Sequence, residues 1–245
     1  MSRYRLKIEY DGTRFVGWQR QSNGLAVQQV IEDALERVDG RPAHIRGAGR
    51  TDTGVHATAQ VAHVDLRKEW RGDRLCDAVN AHMRPHAVAV ISAEIASDEF
   101  DARFSATRRH YLYRIINRRA PLTIDRDRAW LVKRHIETGA MHEAAQSLLG
   151  HHDFSTFRDS DCQANSPLRT LDRLDVSRVG EEVHIYASAR SFLHHQVRSM
   201  VGSLEHVGSG LWTPRDLRNA FEARDRQRCG MVAPAAGLYL VGVDY

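Results

Sequence analysis

The chain has 245 residues, 42% of them hydrophobic and 27% charged, with a net charge of +4, a balance that supports a buried core in one large domain or two small ones and excludes a disordered chain. No run of apolar residues reaches the ~20 needed to cross a bilayer, and the polar, alternating N-terminus offers no secretory h-region. The three cysteines, Cys76, Cys162 and Cys229, are far apart and odd in number. They fit neither a disulfide framework nor a paired zinc site, so a reduced cytoplasm is the expected setting.

Taken in chain order, Arg3 to Asp11 alternates strictly, with Tyr4, Leu6, Ile8 and Tyr10 on one face and Arg3, Arg5, Lys7 and Glu9 on the other. This predicts a half-buried antiparallel strand. Val27, Val30, Ile31, Ala34, Leu35 and Val38 recur at helical spacing before Gly40, a stop signal. A short helix is expected over Arg74 to Ala81 and a strand over Val88 to Ile95. Arg108 to Asn117 alternates again, with Tyr111, Tyr113 and Ile115 opposite His110, Leu112, Arg114 and Ile116. Met141 to Leu149 reads as a helix closed by Gly150. Leu171 to Val179 and Val183 to Ala189 read as a hairpin around Gly180, and His195 to Val207 as a helix. Thr213 followed by Pro214 marks a further helix start, and Gly237 to Tyr245 a closing strand. No regular strand–helix–strand rhythm appears, so the expected fold class is α+β with a mostly antiparallel sheet. Two halves are expected, 1–106 and 107–245.

Positive charge is concentrated. Between Arg103 and Arg134 ten arginines and lysines face only Asp125 and Asp127, a local excess of eight that leaves the remainder of the chain at −4. Arginines interleaved with Tyr111 and Tyr113 are a combination that grips phosphates while rings stack on bases. The same pattern suits an ordinary strand whose tyrosines enter the core. Tyr113 is expected in the core, and the pattern alone leaves Tyr111 undecided.

The segment Gly47-Ala48-Gly49-Arg50-Thr51-Asp52-Thr53-Gly54-Val55-His56-Ala57 places three glycines and two threonines around one carboxylate, a tight loop between two strand-like stretches. Such a loop either uses Asp52 as a turn residue satisfying local N–H groups or lifts it as a nucleophile or base. In the second case Arg50 nearby would keep it ionised. The Gly-x-Gly lacks the lysine and spacing of a phosphate loop. His151-His152-Asp153, His194-His195 and His206 never adopt a zinc-binding spacing, which favours structural or RNA-facing roles and a site without metal or cofactor.

Several blocks resemble the TruA-type tRNA pseudouridine synthases. Gly49 to Ala57 (GRTDTGVHA) is similar to their catalytic loop, Phe100 to Ala106 (FDARFSA) with Thr107 to Ile116 to the segment that meets the target nucleotide, Phe192 to Gly202 (FLHHQVRSMVG) to the helix supplying an arginine, and Gly237-Leu238-Tyr239-Leu240 to the C-terminal strand. The resemblance implies Asp52 as nucleophile, Arg198 as its partner cation, and Tyr111, Arg50 and Leu238 around the target nucleotide. It further implies RNA contacts at Phe100, Arg103, Phe104, Arg108, Arg109, Arg114, Gln163 and Asn165. The chain departs from the family pattern at Asp101, Gln196 and Ser199, where histidine, methionine and asparagine are usual.

The implied fold is two α+β halves sharing an extended sheet with a cleft between them. The implied reaction is isomerisation of uridine to pseudouridine in the anticodon arm of tRNA, at positions 38 to 40, by a cytoplasmic homodimer without cofactor or metal. Asp52 would act by covalent attack or by way of a glycal. Two rivals are a non-catalytic RNA-binding module and another uracil-extruding enzyme, such as a methyltransferase or glycosylase.

Overall fold

The alternation at the N-terminus becomes strand β1 (Ser2–Tyr10), which buries Tyr4, Leu6, Ile8 and Tyr10 and exposes Lys7 and Glu9. A computed structural model describes residues 1–245. The chain forms two compact units, Met1–Thr107 with Tyr239–Tyr245, and Arg108–Leu238. The closing strand therefore belongs mostly with the first unit.

In that unit β1 pairs antiparallel with β3 (His56–Leu66) and with β4 (Val88–Ile95). The short β2 (Arg46–Gly47) adds antiparallel to β3, and β10 (Leu238–Asp244) lies parallel to β3 through Tyr239 and Leu240. Helix α1 (Val27–Asp39) buries the stripe Val27, Val30, Ile31, Ala34 and Leu35 and ends at Gly40, whose φ of 77° is left-handed. Glycine accepts that conformation without the Cβ clash other residues would meet. Helix α2 (Gly72–Met83) runs two residues beyond its expected limits at each end and packs on α1 and β4. The central strand β3 is the strand-like stretch expected after the Asp52 loop. Nearly all of it is buried, on both faces, although its sequence alternates polar His56, Thr58, Gln60, His63 and Asp65 with apolar residues and slips only once, at Val61-Ala62.

The second unit holds β5 (Arg108–Asn117), antiparallel to β9 (Glu182–Ala189), with β6 (Trp130–Val132) parallel to β5. β9 forms the expected hairpin with β8 (Leu168–Val179), turning at Gly180, φ 61°. β7 (Gly150–Asp153), which carries His151 and His152, continues the ladder on β8. Helix α3 (Thr138–Gln146) lies on β8 and against α4 (Gln196–Gly208) and α5 (Pro214–Glu222). α5 begins as its sequence predicts. The Thr213 hydroxyl accepts the Asp216 N–H at 3.2 Å while the Asp216 carboxylate accepts the Thr213 N–H at 2.8 Å, a complete capping box. Five helices and ten strands in mostly antiparallel pairings make the fold α+β, as expected.

One carboxylate ties helix to sheet in the first unit. Asp39, with its side chain 0% exposed, sits 2.9 Å from Arg41 Nε and accepts the Arg67 N–H at 3.0 Å and the Lys68 N–H at 3.4 Å. Burial alone would raise its pKa, but these donors hold it below the usual carboxylate range. A depressed folded-state pKa stabilises the fold above the unfolded value and loses that contribution as pH falls through the folded one. Asp39→Asn is expected to cost about 1–3 kcal/mol near pH 7. In urea unfolding the gap from wild type should narrow below the ordinary carboxylate range; a gap unchanged in acid would contradict this account.

Candidate active site

Between β2 and β3 the chain makes the loop that carries Arg50, Thr51 and Asp52. Its turn is closed by the main chain, with the Val55 N–H donating to the Asp52 carbonyl at 3.1 Å and Gly54 left-handed at φ 78°. Arg50 is exposed and Asp52 half-buried. A polar group at the surface of a loop is usually mobile, but this loop is braced from behind.

The braces come from the segment that follows β1. The Trp18 N–H donates to the Thr51 carbonyl at 3.0 Å. The buried hydroxyls of Tyr10 and Thr51 hydrogen-bond at 2.8 Å. Gln60 Nε2 on β3 donates to the Gly49 carbonyl at 2.7 Å, and the Gly12 N–H donates to His56 Nδ1 at 3.0 Å. The His56 ring stacks on Tyr239 with centroids 4.7 Å apart.

Two glycines make this contact possible. A Cβ on Gly12 would lie 2.0 Å from the Val55 carbonyl oxygen, and one on Gly17, at φ 105°, would lie 2.6 Å from that of Thr51. Gly47 lies equally close beneath Trp18, where a Cβ would come within 2.7 Å of the indole. Backbone thus meets backbone around Thr51–Val55, leaving the loop little room to shift.

Phe100 is half-buried, and Arg103 and Phe104 follow it on a short exposed turn. Phe104 is 71% exposed, with the Arg103 guanidinium 5.5 Å from its ring centroid. Asp101 organises this turn, its Oδ1 accepting the N–H groups of Arg103 and Phe104 at 2.8 and 2.9 Å and its Oδ2 pairing with Arg46 at 2.8 Å. Burial pulls its pKa up, but these donors leave it lowered. Asp101 thus holds this turn in order through its own contacts.

In the second unit Tyr111 and Tyr113 share the buried face of β5 with Arg109. Tyr113 is 0% exposed, as expected of a core residue, and its hydroxyl donates to the Pro234 carbonyl at 2.7 Å. Tyr111, the undecided case, is 9% exposed and meets Phe192 edge-on at 5.2 Å. Arg198, in the first turn of α4, donates from Nε to the Ala233 carbonyl at 2.8 Å. Leu238 is buried at the start of β10.

The basic strand is more self-engaged than its sequence suggests. Arg114 pairs with Glu182 at 2.9 Å and Asp125 at 3.1 Å, Arg108 with Asp172 at 3.1 Å, and Arg109 donates to the Arg190 carbonyl at 2.6 Å. Gln163 and Asn165 are exposed on the loop before β8.

The two remaining departures are buried. Gln196 Oε1 accepts the Leu193 N–H at 2.8 Å, and Ser199 Oγ accepts from Arg226 at 2.9 Å. Among the histidines, His152 bonds the Leu149 carbonyl, and His195, left-handed at φ 59°, bonds Asp159 at 2.6 Å. No periodicity pointed to the bracing residues Gly12, Gly17 and Gln60; the cluster of glycines flanking Trp18 was the available signal.

A family model described as tRNA pseudouridine synthase matches residues 7–105 and 144–245. Proteins called tRNA pseudouridine synthase A from Beijerinckia indica and Methylocella silvestris are 71% and 63% identical over 245 residues, spanning 100% of this chain and 94% and 99% of theirs. The protein of that name from Xanthobacter autotrophicus is 62% identical and covered end to end. The chain belongs to the tRNA pseudouridine synthase family, and its reaction is isomerisation of uridine in tRNA.

Gly12→Ala forces the Val55 carbonyl away. It should destabilise the fold by about 1–3 kcal/mol and lower pseudouridine formation while leaving tRNA binding near wild type. Thermal melts, turnover and filter binding read the three effects. Unchanged turnover would mean that the brace does not matter.

Proposed function

We propose that Asp52 is the catalytic carboxylate of this synthase and that the uridines it serves lie in the anticodon arm, at positions 38 to 40. Uridine and pseudouridine have the same atoms. The N1–C1′ bond breaks, the uracil turns, C5 bonds to C1′, and the proton leaving C5 is matched by one gained at N1. No donor or oxidant enters that balance, so the reading needs neither cofactor nor metal.

The observation that carries it is the half-buried Asp52 on a turn closed and braced by other groups. The Val55 N–H that closes the turn is taken by the Asp52 main-chain carbonyl and not by its carboxylate. A fixed anion is what attack on the sugar or base, or abstraction of a sugar proton, requires.

Arg198 supplies the countercharge, and Arg50 a second cation beside the loop. Tyr111 lies against the extruded nucleotide and Leu238 lines its uracil pocket. Flipping a base costs a few kcal/mol, and stacking on an aromatic ring returns about 1–3. Arg103, Phe104, Gln163 and Asn165 lead the RNA contacts because they are exposed. Phe100, Arg108, Arg109 and Arg114 join them, the last three by exchanging internal acceptors for phosphate. The protein works as a cytoplasmic homodimer, one tRNA arm lying across both subunits.

Asp52→Asn is expected to bind tRNA normally and release no tritium from C5-labelled uridine; release near the wild-type rate would end the assignment. With ~five phosphates neutralised, a fourfold rise in salt should weaken tRNA binding on the order of a hundredfold. A flat salt response would remove the basic segment from the interface.

A further inference from the structure

Arg198 can act on a reacting nucleotide only if its guanidinium is aimed, and residues far from it in sequence do the aiming. Ala233, 0% exposed, meets Arg198 twice. Its carbonyl accepts from Arg198 Nε at 2.8 Å, and its N–H donates to the Arg198 carbonyl at 3.1 Å. Nε is thereby committed, which fixes the plane of the guanidinium and the direction of its two terminal nitrogens.

Ala233 belongs to a strap, residues 229–237, laid along α4. The strap reaches the helix because Gly202 has no side chain. A Cβ there would lie 1.8 Å from the Met231 carbonyl oxygen and 3.2 Å from the Ala233 nitrogen. Gly230 closes in likewise, its N–H donating to Ser203 Oγ at 3.0 Å. Towards its C-terminal end the strap is held by β5. Tyr113 donates to the Pro234 carbonyl at 2.7 Å, and Gly237 passes so close that a Cβ would sit 2.5 Å from the Tyr113 ring. Burial keeps that hydroxyl protonated as a donor, with the Arg198 charge a smaller, opposing influence. Leu238 follows directly.

We propose that the 229–237 strap is a positioning element of the active site, in which Gly202 and Tyr113 hold the Ala233 carbonyl against Arg198 and so set the orientation of that arginine. This rests on the reading of Arg198 as the countercharge.

The test is a double-mutant cycle on turnover of unmodified tRNA, with KM and melting temperature measured in parallel. Gly202→Ala should lower kcat by roughly a hundredfold, the scale of an ångström-sized misplacement, with KM within about threefold of wild type. In an Arg198→Lys background, where the Nε bond is already lost, Gly202→Ala should lower kcat by less than about threefold more. Independent, multiplying losses, or wild-type turnover in Gly202→Ala, would overturn the proposal. Full activity in Arg198→Lys alone would instead sink the role of Arg198 beneath it. If Gly202→Ala is insoluble, Tyr113→Phe takes its place in the same cycle. It removes one hydrogen bond to the strap and should cost about tenfold in kcat, again lost in the Arg198→Lys background; turnover equal to wild type would overturn the proposal.

Discussion

Two backbones touching without side chains between them set what the first unit can do. The segment around Gly12 and Gly17 lies directly behind Thr51–Val55, and no residue with a Cβ fits at either glycine without moving the loop. Around this contact the Trp18 N–H, the Tyr10 hydroxyl and the Gln60 amide each hold a separate point on the loop. The cost of ordering a glycine-rich turn is thereby met within the fold, before any substrate arrives. A carboxylate carried on such a turn need not rearrange when charge develops near it, which is the condition under which fixed groups stabilise a transition state.

The second unit uses the same device. Gly202 and Gly230 let a strap of irregular chain settle on α4, as Gly12 and Gly17 let one loop settle on another. In both places glycine serves close approach rather than flexibility. Tyr113 joins the two functions of its strand. Its ring fills the core, and its hydroxyl holds the strap that carries Ala233.

Much of the secondary structure was legible because it follows simple periods. β4 and β5 fall at their expected limits, and Gly40, Gly150 and Gly180 punctuate where glycine should, each with positive φ. What stayed hidden has a common physical cause. β3 is buried on both faces, so its alternation of polar and apolar residues, broken once at Val61-Ala62, marks no solvent face. α3 stops at Gln146, short of the expected Leu149, because Gly150 begins β7 and the chain must turn first. The strap has no period at all, being held by carbonyl and N–H groups that any residue possesses. For the same reason the partners of Arg198 could not be read from residue types, whereas Asp52 stood out by its glycine and threonine setting. The crowding of arginines was visible, but not that Arg114 spends its charge on Glu182 and Asp125.

The most direct measurement keeps the carboxylate and changes only its reach. In Asp52→Glu the anion stands one methylene further from a loop that cannot retract. Single-turnover formation of pseudouridine, mapped chemically in an unmodified tRNA transcript, should fall by about a hundredfold or more, with tRNA still bound at wild-type strength. A rate close to wild type would mean that the loop yields to accommodate its carboxylate, and the rigid brace would then have no part in the chemistry.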